Sequence, residues 1–509
     1  MRTRNSILNI ISNCFCFSLV IITGLIVRRV FADNLGMKYL GVSGRFTDYV
    51  TMLTIFESGL GMNLVCKLYD PISKKNWQKI SLVISLIKKS YIIISILVII
   101  FGIPLCFFAV NSLQEGFDKG WLIRIFFLHL TDVICSYVYN HKKMMLVADQ
   151  KARSVENIRS VCLIFLSIIQ IFILKFFKSF ELFILAKIVS RLSEAFASSF
   201  VFRKNYKNVN TKNKLIFDNY QKKEIFSRVK SSFFHKIGEV GLGQIPTLIF
   251  TIVPFSVYEN AIYYNYILIV KALLGISMKF FSGITASFGD LLNSEREEKV
   301  EKNFDVIFLI NFFIYSFFCC SFFCISNPFM KIWIPQENAI FAIHIVLALT
   351  INLYIYGMRQ SSAMAKEAAG IYVQDRYFPI IEAIVNFLLS YFLSIKLGTL
   401  GVIIGSSVSG LIPVVTNPFF VYKIVFGKTP LEYYKKYFSY TMITAVEVSL
   451  CYYLTTTFIF KSAFMQLLMN ISLCFVIPNA INVIVFCRTR EFSHIWSLIV
   501  KTFYKIKKS

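Results

Sequence analysis

Acidic residues are scarce in this sequence of 509 residues, which has 28 Asp and Glu against 54 Lys and Arg and a net charge of +26. Charged residues make up only 16% of the chain, whereas 56% of it is hydrophobic. This balance excludes an ordinary soluble domain, in which about a quarter of the residues are charged. It also argues against nucleic-acid binding, because the basic residues lie between apolar stretches and are not gathered on one polar domain.

The sequence also lacks the spacings on which metal sites and common catalytic sites depend. Its 12 cysteines include no C-x-x-C pair, and none of its 5 histidines stands beside them at zinc-ligand spacing. Phe426-Gly427-Lys428-Thr429 imitates the end of a nucleotide-binding loop, but Tyr422 stands where that loop needs its first glycine. We therefore predict no metal, no resident cofactor and no enzymatic activity.

Long apolar stretches are what the sequence has in abundance. About fourteen of them, each of roughly 17–29 residues, are long enough to cross a hydrocarbon core of about 30 Å as helices. This pattern predicts an all-α polytopic membrane protein with about 14 transmembrane helices. We place the spans at residues 7–27, 39–66, 84–110, 121–146, 159–175, 180–202, 233–254, 261–289, 304–327, 338–358, 377–395, 399–422, 438–460 and 464–487.

The distribution of Lys and Arg predicts how the spans are oriented. Of the 54 basic residues, 39 lie in or beside the termini and the even-numbered loops, 10 in or beside the odd-numbered loops, and 5 deep inside spans. Basic flanks are retained in the cytoplasm, so both termini are predicted to be cytoplasmic. The longest hydrophilic segment, residues 203–232, is then a basic cytoplasmic linker between spans six and seven.

Ionisable residues inside the spans are candidates for function, because each costs about 2.5–3.5 kcal/mol at the centre of a membrane helix. Two pairs have an alternative explanation as internal ion pairs, since Arg45 and Asp48, and likewise Arg191 and Glu194, are three residues apart. The candidate cations for an anionic substrate are Arg45, Lys187, Arg191, Lys271 and Lys279. The carboxylates proposed for ion coupling, each of which could equally be a salt-bridge partner, are Asp48, Glu57, Glu382 and Glu447.

Lys271 and Lys279 differ from the other cations, since no carboxylate lies within four residues of either on the same span. They lie near the middle of the eighth span, eight residues apart and roughly on one side of it. Two such cations need acidic partners on other helices or an anionic ligand. A water-filled cavity with these side chains would attract phosphates strongly.

Three segments resemble the polysaccharide flippases, of the O-antigen and capsule type, within the multidrug/oligosaccharidyl-lipid/polysaccharide (MOP) exporter superfamily. The matching features are Tyr39-Leu40-Gly41, Gly59–Gly61 with Leu68-Tyr69-Asp70-Pro71, Glu382-Ala383-Ile384-Val385-Asn386, and Leu397-Gly398 followed by Gly401-Val402. The resemblance implies two six-helix lobes around a central cavity, followed by two further helices. The lobes are placed at 1–202 (helices 1–6) and 233–422 (helices 7–12), with helices 13–14 and a basic cytoplasmic tail at 423–509.

The resemblance also implies a function. Members of this type move an undecaprenyl-diphosphate-linked oligosaccharide from the cytoplasmic to the outer leaflet of the bacterial inner membrane, by alternating access, for surface polysaccharide biosynthesis. It adds Arg28 or Arg29 to the cavity cations, beside Arg45, Lys271 and Lys279. Span seven departs from the pattern, because its only cation is Lys236, near its start.

Partners and alternatives follow from this interpretation. The expected partners are the lipid-linked oligosaccharide and the bilayer, together with the polymerase and glycosyltransferases of the same pathway, and no nucleic acid. A proton gradient, a sodium gradient or the membrane potential would drive transport. The alternatives are a multidrug or organic-cation exporter of the same superfamily, whose site should be net acidic, and a membrane glycan polymerase, which the short outer loops disfavour.

Overall fold

The computed structural model is helical throughout its described part and contains no strand there. Its helices come from the long apolar stretches of the sequence, because a helix satisfies all of its backbone hydrogen bonds internally, as a lipid environment requires. The residues that the structure describes are 2–57, 61–113, 116–149, 151–207, 209, 244–253, 255–335, 339–371 and 374–507.

The chain forms two compact units, Met1–Tyr264 and Asn265–Ser509. The first unit contains α1 (Arg2–Leu35), α2 (Met37–Leu53), a short 3-10 helix (Thr54–Glu57), α3 (Gly61–Ser73), α4 (Trp77–Asn111), α5 (Lys119–Tyr137), α6 (Asn140–Ala148), α7 (Ala152–Phe176), α8 (Phe180–Asn205), α9 (described from 244 to 252) and the start of α10 (Val257–Ser294). Most of the predicted linker, from 210 to 232, lies outside the described residues, and the predicted lobe boundaries stay predictions.

The second unit contains the rest of α10 and eight further helices. They are α11 (Glu297–Trp333), α12 (Ile343–Met358), α13 (Gln360–Ala368), α14 (Phe378–Leu397), α15 (Thr399–Val425), α16 (Leu431–Thr457), α17 (Ala463–Phe486) and α18 (Arg490–Lys507). In this unit α11 packs against α12, α16 and α17, and α14 packs along α15. The two predicted C-terminal spans, 438–460 and 464–487, correspond to α16 and α17.

Eight helices in the described part are long and apolar enough to cross a membrane. They lie at Trp77–Asn111, Lys119–Tyr137, Ser154–Phe176, Val257–Leu292, Glu297–Trp333, Phe378–Leu397, Thr399–Val425 and Ala463–Phe486. The protein is therefore a multi-pass, all-α membrane protein, as the sequence predicts. Two predicted spans are interrupted in the structure. In span 39–66, α2 ends at Leu53 and a short 3-10 helix follows it. In span 121–146, α5 ends at Tyr137 and α6 begins at Asn140.

Glycines allow the closest helix packing in the second unit. Gly398 ends α14 with φ 59°, a conformation that residues with a side chain rarely adopt. A Cβ atom on Gly401 would lie 2.3 Å from the backbone of Leu393, and one on Gly405 would lie 2.4 Å from the backbone nitrogen of Ser390. The Leu397-Gly398 and Gly401-Val402 motif thus fixes the turn and contact between α14 and α15.

A small polar cluster holds the turn between α6 and α7 against the end of α8. Asp149 forms an ion pair with Lys151 at 2.8 Å and accepts a hydrogen bond from the hydroxyl group of Tyr206. Burial opposes ionisation of Asp149, but these two contacts outweigh it and hold the pKa of the carboxyl group below its usual range. The cluster therefore favours a charged Asp149 at neutral pH.

Candidate functional site

The first unit contains an ion-pair network that joins α5, α6 and α8. Asp132 on α5 lies 2.9 Å from the Nζ atom of Lys187 and 3.4 Å from the Nε atom of Arg191. Glu194 lies 3.8 Å from Arg191 and 2.6 Å from Lys143 on α6. Both carboxylates are buried. The predicted Arg191–Glu194 pair is thus one contact of a network in which three cations share two carboxylates.

Arg45 on α2 is fully buried in the first unit. Its guanidinium group donates hydrogen bonds to the backbone oxygens of Ser112, at 3.1 Å, and Phe255, at 3.2 Å. Asp48, one turn along the same helix, accepts a hydrogen bond of 2.6 Å from the hydroxyl group of Thr247. Arg45 therefore ties α2 to the segments that follow α4 and α9, which is a structural role in addition to any role toward a ligand.

Glu57 lies where the second predicted span is interrupted. Its carboxylate accepts hydrogen bonds from the hydroxyl group of Tyr91, at 2.9 Å, and from the side-chain amide of Asn140, at 3.1 Å. A break in a membrane helix is a common position for an ion or substrate site, because it exposes polar groups at depth. Glu57 thus keeps its place among the candidates for ion coupling.

The two arginines that end the first predicted span have different surroundings. Arg29 forms an ion pair of 2.6 Å with Asp33, one turn further along α1. Arg28 is half-buried and lies within electrostatic range of the Tyr264 hydroxyl group. Both arginines stay predictions for contact with a substrate.

Lys271 and Lys279 are both exposed on α10 in the second unit. Within the described part of the chain, neither lysine forms an ion pair or a hydrogen bond through its ammonium group. By contrast, Arg359 pairs with Glu382 at 2.7 Å, and Lys366 pairs with Asp375. Lys271 and Lys279 therefore differ from Lys187, Arg191, Arg359 and Lys366, each of which contacts a protein carboxylate.

Glu382 and Glu447, the two candidate carboxylates of the second unit, differ in whether a cation of the protein contacts them. Glu382 is buried against Arg359, whose guanidinium group also stacks on Tyr356 at 4.2 Å. Glu447 on α16 is fully buried, and neither of its oxygens has a hydrogen-bond partner among the described residues. Glu382 is thus a salt-bridge partner, whereas Glu447 has no Lys or Arg partner among the described residues.

Several partners in these networks are missing from the predicted site. Asp132, Lys143 and Arg359 pair with Lys187, Glu194 and Glu382, respectively. The sequence could have indicated Asp132, since it is the one carboxylate of the fourth predicted span, 121–146. Arg359 has no such signal, because it follows the predicted end of the tenth span and belongs to a predicted loop.

Solved transporters of one class share this fold. An inward-facing MATE family transporter of the MOP superfamily matches with a TM-score of 0.64 at 14% identity, over 79% of this chain and 94% of that one. The lipid II flippase MurJ, in an inward closed conformation, matches with a TM-score of 0.65 at 14% identity, over 94% of this chain and 99% of that one. The MATE transporter VcmN of Vibrio cholerae matches with a TM-score of 0.57 at 11% identity, over 84% of this chain and 98% of that one.

These similarities establish the fold. No protein-family profile and no curated protein matches the sequence. The resemblance to the MOP superfamily is confirmed at the level of the fold, which is that of membrane transporters with about 12–14 helices. Their low sequence identities leave the substrate to be inferred from the chemistry of this chain.

Proposed function

We propose that this protein is a flippase for a lipid-linked oligosaccharide, carried on undecaprenyl diphosphate, in the bacterial inner membrane. The observation that supports it is the pair of exposed lysines on α10, which have no counter-charge in the described part of the chain. An anionic substrate is the simplest counter-charge for two cations at membrane depth. A diphosphate cannot cross hydrocarbon unaided, and a cationic site offsets its loss of hydration.

Such a substrate has an apolar part and a polar part, and a two-lobed membrane transporter can accommodate both. The polyprenyl chain is apolar and stays in the lipid, whereas the diphosphate and sugars need a polar passage. Transporters built from two helical lobes expose one site alternately to each side of the membrane. By the charge asymmetry of the loops, we place both termini in the cytoplasm, so that transport runs toward the outer leaflet.

The second candidate, an exporter of organic cations, has support from the MATE transporters of similar fold. Such an exporter needs carboxylates that are available to a cationic substrate. Here Asp132, Glu194 and Glu382 each already contact a Lys or Arg side chain of the protein. Glu447 has no Lys or Arg partner among the described residues but is fully buried, so the exposed lysines of α10 are the basis on which we prefer the anionic substrate.

Reconstitution in vesicles distinguishes the two functions. We expect proteoliposomes of the full chain to move a fluorescent polyprenyl-diphosphate oligosaccharide between leaflets, and not to move ethidium. The Lys271→Gln/Lys279→Gln variant should lose most of this movement, whereas Lys299→Gln, which removes an exposed lysine paired with Glu295 on the surface, should retain it. Movement of ethidium without movement of the lipid would favour the exporter instead.

A further inference from the structure

A cavity of about 580 Å³ lies in the second unit, where α11 and α16 end and α17 begins. This volume falls within the range of roughly 300–1,000 Å³ that is usual for sites binding small molecules. Apolar side chains form much of its wall, with Phe323, Ile343 and Tyr452 among them. The cavity is therefore suited to a ligand with an apolar part.

The corner between α16 and α17 is held by one glutamine on the cavity wall. The side-chain amide of Gln466 donates to the backbone oxygens of Thr455 and Phe458, each at 3.2 Å, and to Asn470 at 2.9 Å. Its oxygen accepts a hydrogen bond of 2.8 Å from the backbone nitrogen of Phe460. These bonds fix the backbone just before Lys461, so the cavity rim is built in advance of binding.

Two lysines provide the charge of the cavity. Lys331, near the end of α11, and Lys461, before the start of α17, both line it and are both exposed. Among the described residues, the lining contains no Asp or Glu, and neither lysine forms an ion pair. The site thus combines an apolar wall with two cations at the ends of membrane helices.

We propose that this cavity binds an anionic phospholipid, with its phosphate between Lys331 and Lys461 and an acyl chain along the apolar wall. The neighbouring Ile459 and Phe464 are 80% and 61% exposed, as expected of side chains in contact with lipid. A soluble phosphate would leave the apolar wall without a partner, and a zwitterionic lipid would not balance two lysines. Basic side chains at the membrane surface attract anionic lipid headgroups.

This site is separate from the lysines of α10, and the proposal does not depend on the proposed transport function. The test is native mass spectrometry of the full chain, purified in detergent and titrated with phosphatidylglycerol or phosphatidylcholine of the same acyl chains. We expect phosphatidylglycerol to bind more tightly, and the Lys331→Gln/Lys461→Gln variant to bind it roughly tenfold more weakly or worse. Binding of phosphatidylcholine should not change.

The matched control is Lys175→Gln/Lys396→Gln, which removes two exposed lysines at the ends of α7 and α14. It should bind phosphatidylglycerol as the unchanged protein does. A second variant, Ala463→Trp, fills the cavity while keeping both lysines, and should also weaken binding. Equal affinity of the Lys331→Gln/Lys461→Gln variant and the unchanged protein would overturn the site, and displacement of the phospholipid by equimolar polyprenyl phosphate would overturn the choice of occupant.

Discussion

At the residue scale, the cations in the first unit are held in place by buried carboxylates. Asp132 is central to this arrangement, since it contacts both Lys187 and Arg191. Removing one partner of a buried pair is strongly destabilising, typically by about 3–5 kcal/mol, because it leaves an uncompensated charge. The network can therefore be tested through stability without any assumption about the substrate.

We expect Asp132→Ala to lower the amount of folded protein in the membrane and its unfolding temperature. Arg191 keeps its contact with Glu194, so changing Lys187 to Met in the same protein removes the cation that Asp132→Ala leaves without a carboxylate, and should restore part of the loss. The measurement is membrane abundance with thermal unfolding in detergent for both single variants and the double variant. If the losses of the two single variants simply add, Asp132 and Lys187 are not coupled.

Glu447 and Glu382 permit a matched comparison at the same scale. Both are buried, but Glu382 has Arg359 beside it, whereas neither oxygen of Glu447 has a partner among the described residues. Replacing the carboxylate by an amide therefore breaks an ion pair at Glu382 and breaks none among the described residues at Glu447.

Glutamine keeps the shape of the glutamate side chain and removes its charge. Glu447→Gln should therefore leave the unfolding temperature nearly unchanged, whereas Glu382→Gln should lower it by several degrees. Thermal unfolding of the two variants side by side is the measurement. An equal loss in both would mean that Glu447 is charged and paired. If Glu447→Gln keeps its stability but loses transport, the residue remains a candidate for ion coupling.

At the element scale, glycines decide how closely α14 and α15 approach. A Cβ atom added to Gly405 would lie 2.4 Å from the backbone nitrogen of Ser390. A Cβ atom added to Gly24, on α1, would have no neighbouring atom within 4 Å. We expect Gly405→Leu to reduce folded protein sharply and Gly24→Leu to leave it near the original level. Fluorescence-detected size-exclusion chromatography measures both. A normal elution profile for Gly405→Leu would contradict the close packing.

Hydropathy alone was enough to predict most helices, because a long apolar stretch has only one way to satisfy its backbone in lipid. The interruption after Leu53 was not predictable in this way, since residues 54–57 contain neither Pro nor Gly and remain apolar around Glu57. The pairing of Lys187 with Asp132 could not be predicted either, because the two residues are on different helices and 55 positions apart in the chain. Charges within one helix can be matched from sequence, whereas charges across helices need the fold.

At the scale of the whole molecule, the orientation in the membrane is the prediction on which the direction of transport depends. In a protein without its native cysteines, single cysteines at Ser112 and Gln336 should react with an impermeant reagent added to intact cells. A cysteine at Asn210 should react only after permeabilisation, because the basic segment that contains it is predicted to be cytoplasmic. Labelling of Asn210 in intact cells would reverse the orientation.

The central claim is that an anionic substrate balances Lys271 and Lys279. Its most direct test is the Lys271→Glu/Lys279→Glu variant as the only copy in cells, with Lys271→Gln/Lys279→Gln and the surface variant Lys299→Gln beside it. Surface glycan and lipid-linked intermediates are measured in each strain. We predict that charge reversal abolishes surface glycan at normal protein level, more severely than glutamine does, and that lipid-linked oligosaccharide accumulates on the cytoplasmic leaflet. Full surface glycan in the charge-reversed strain would contradict the account.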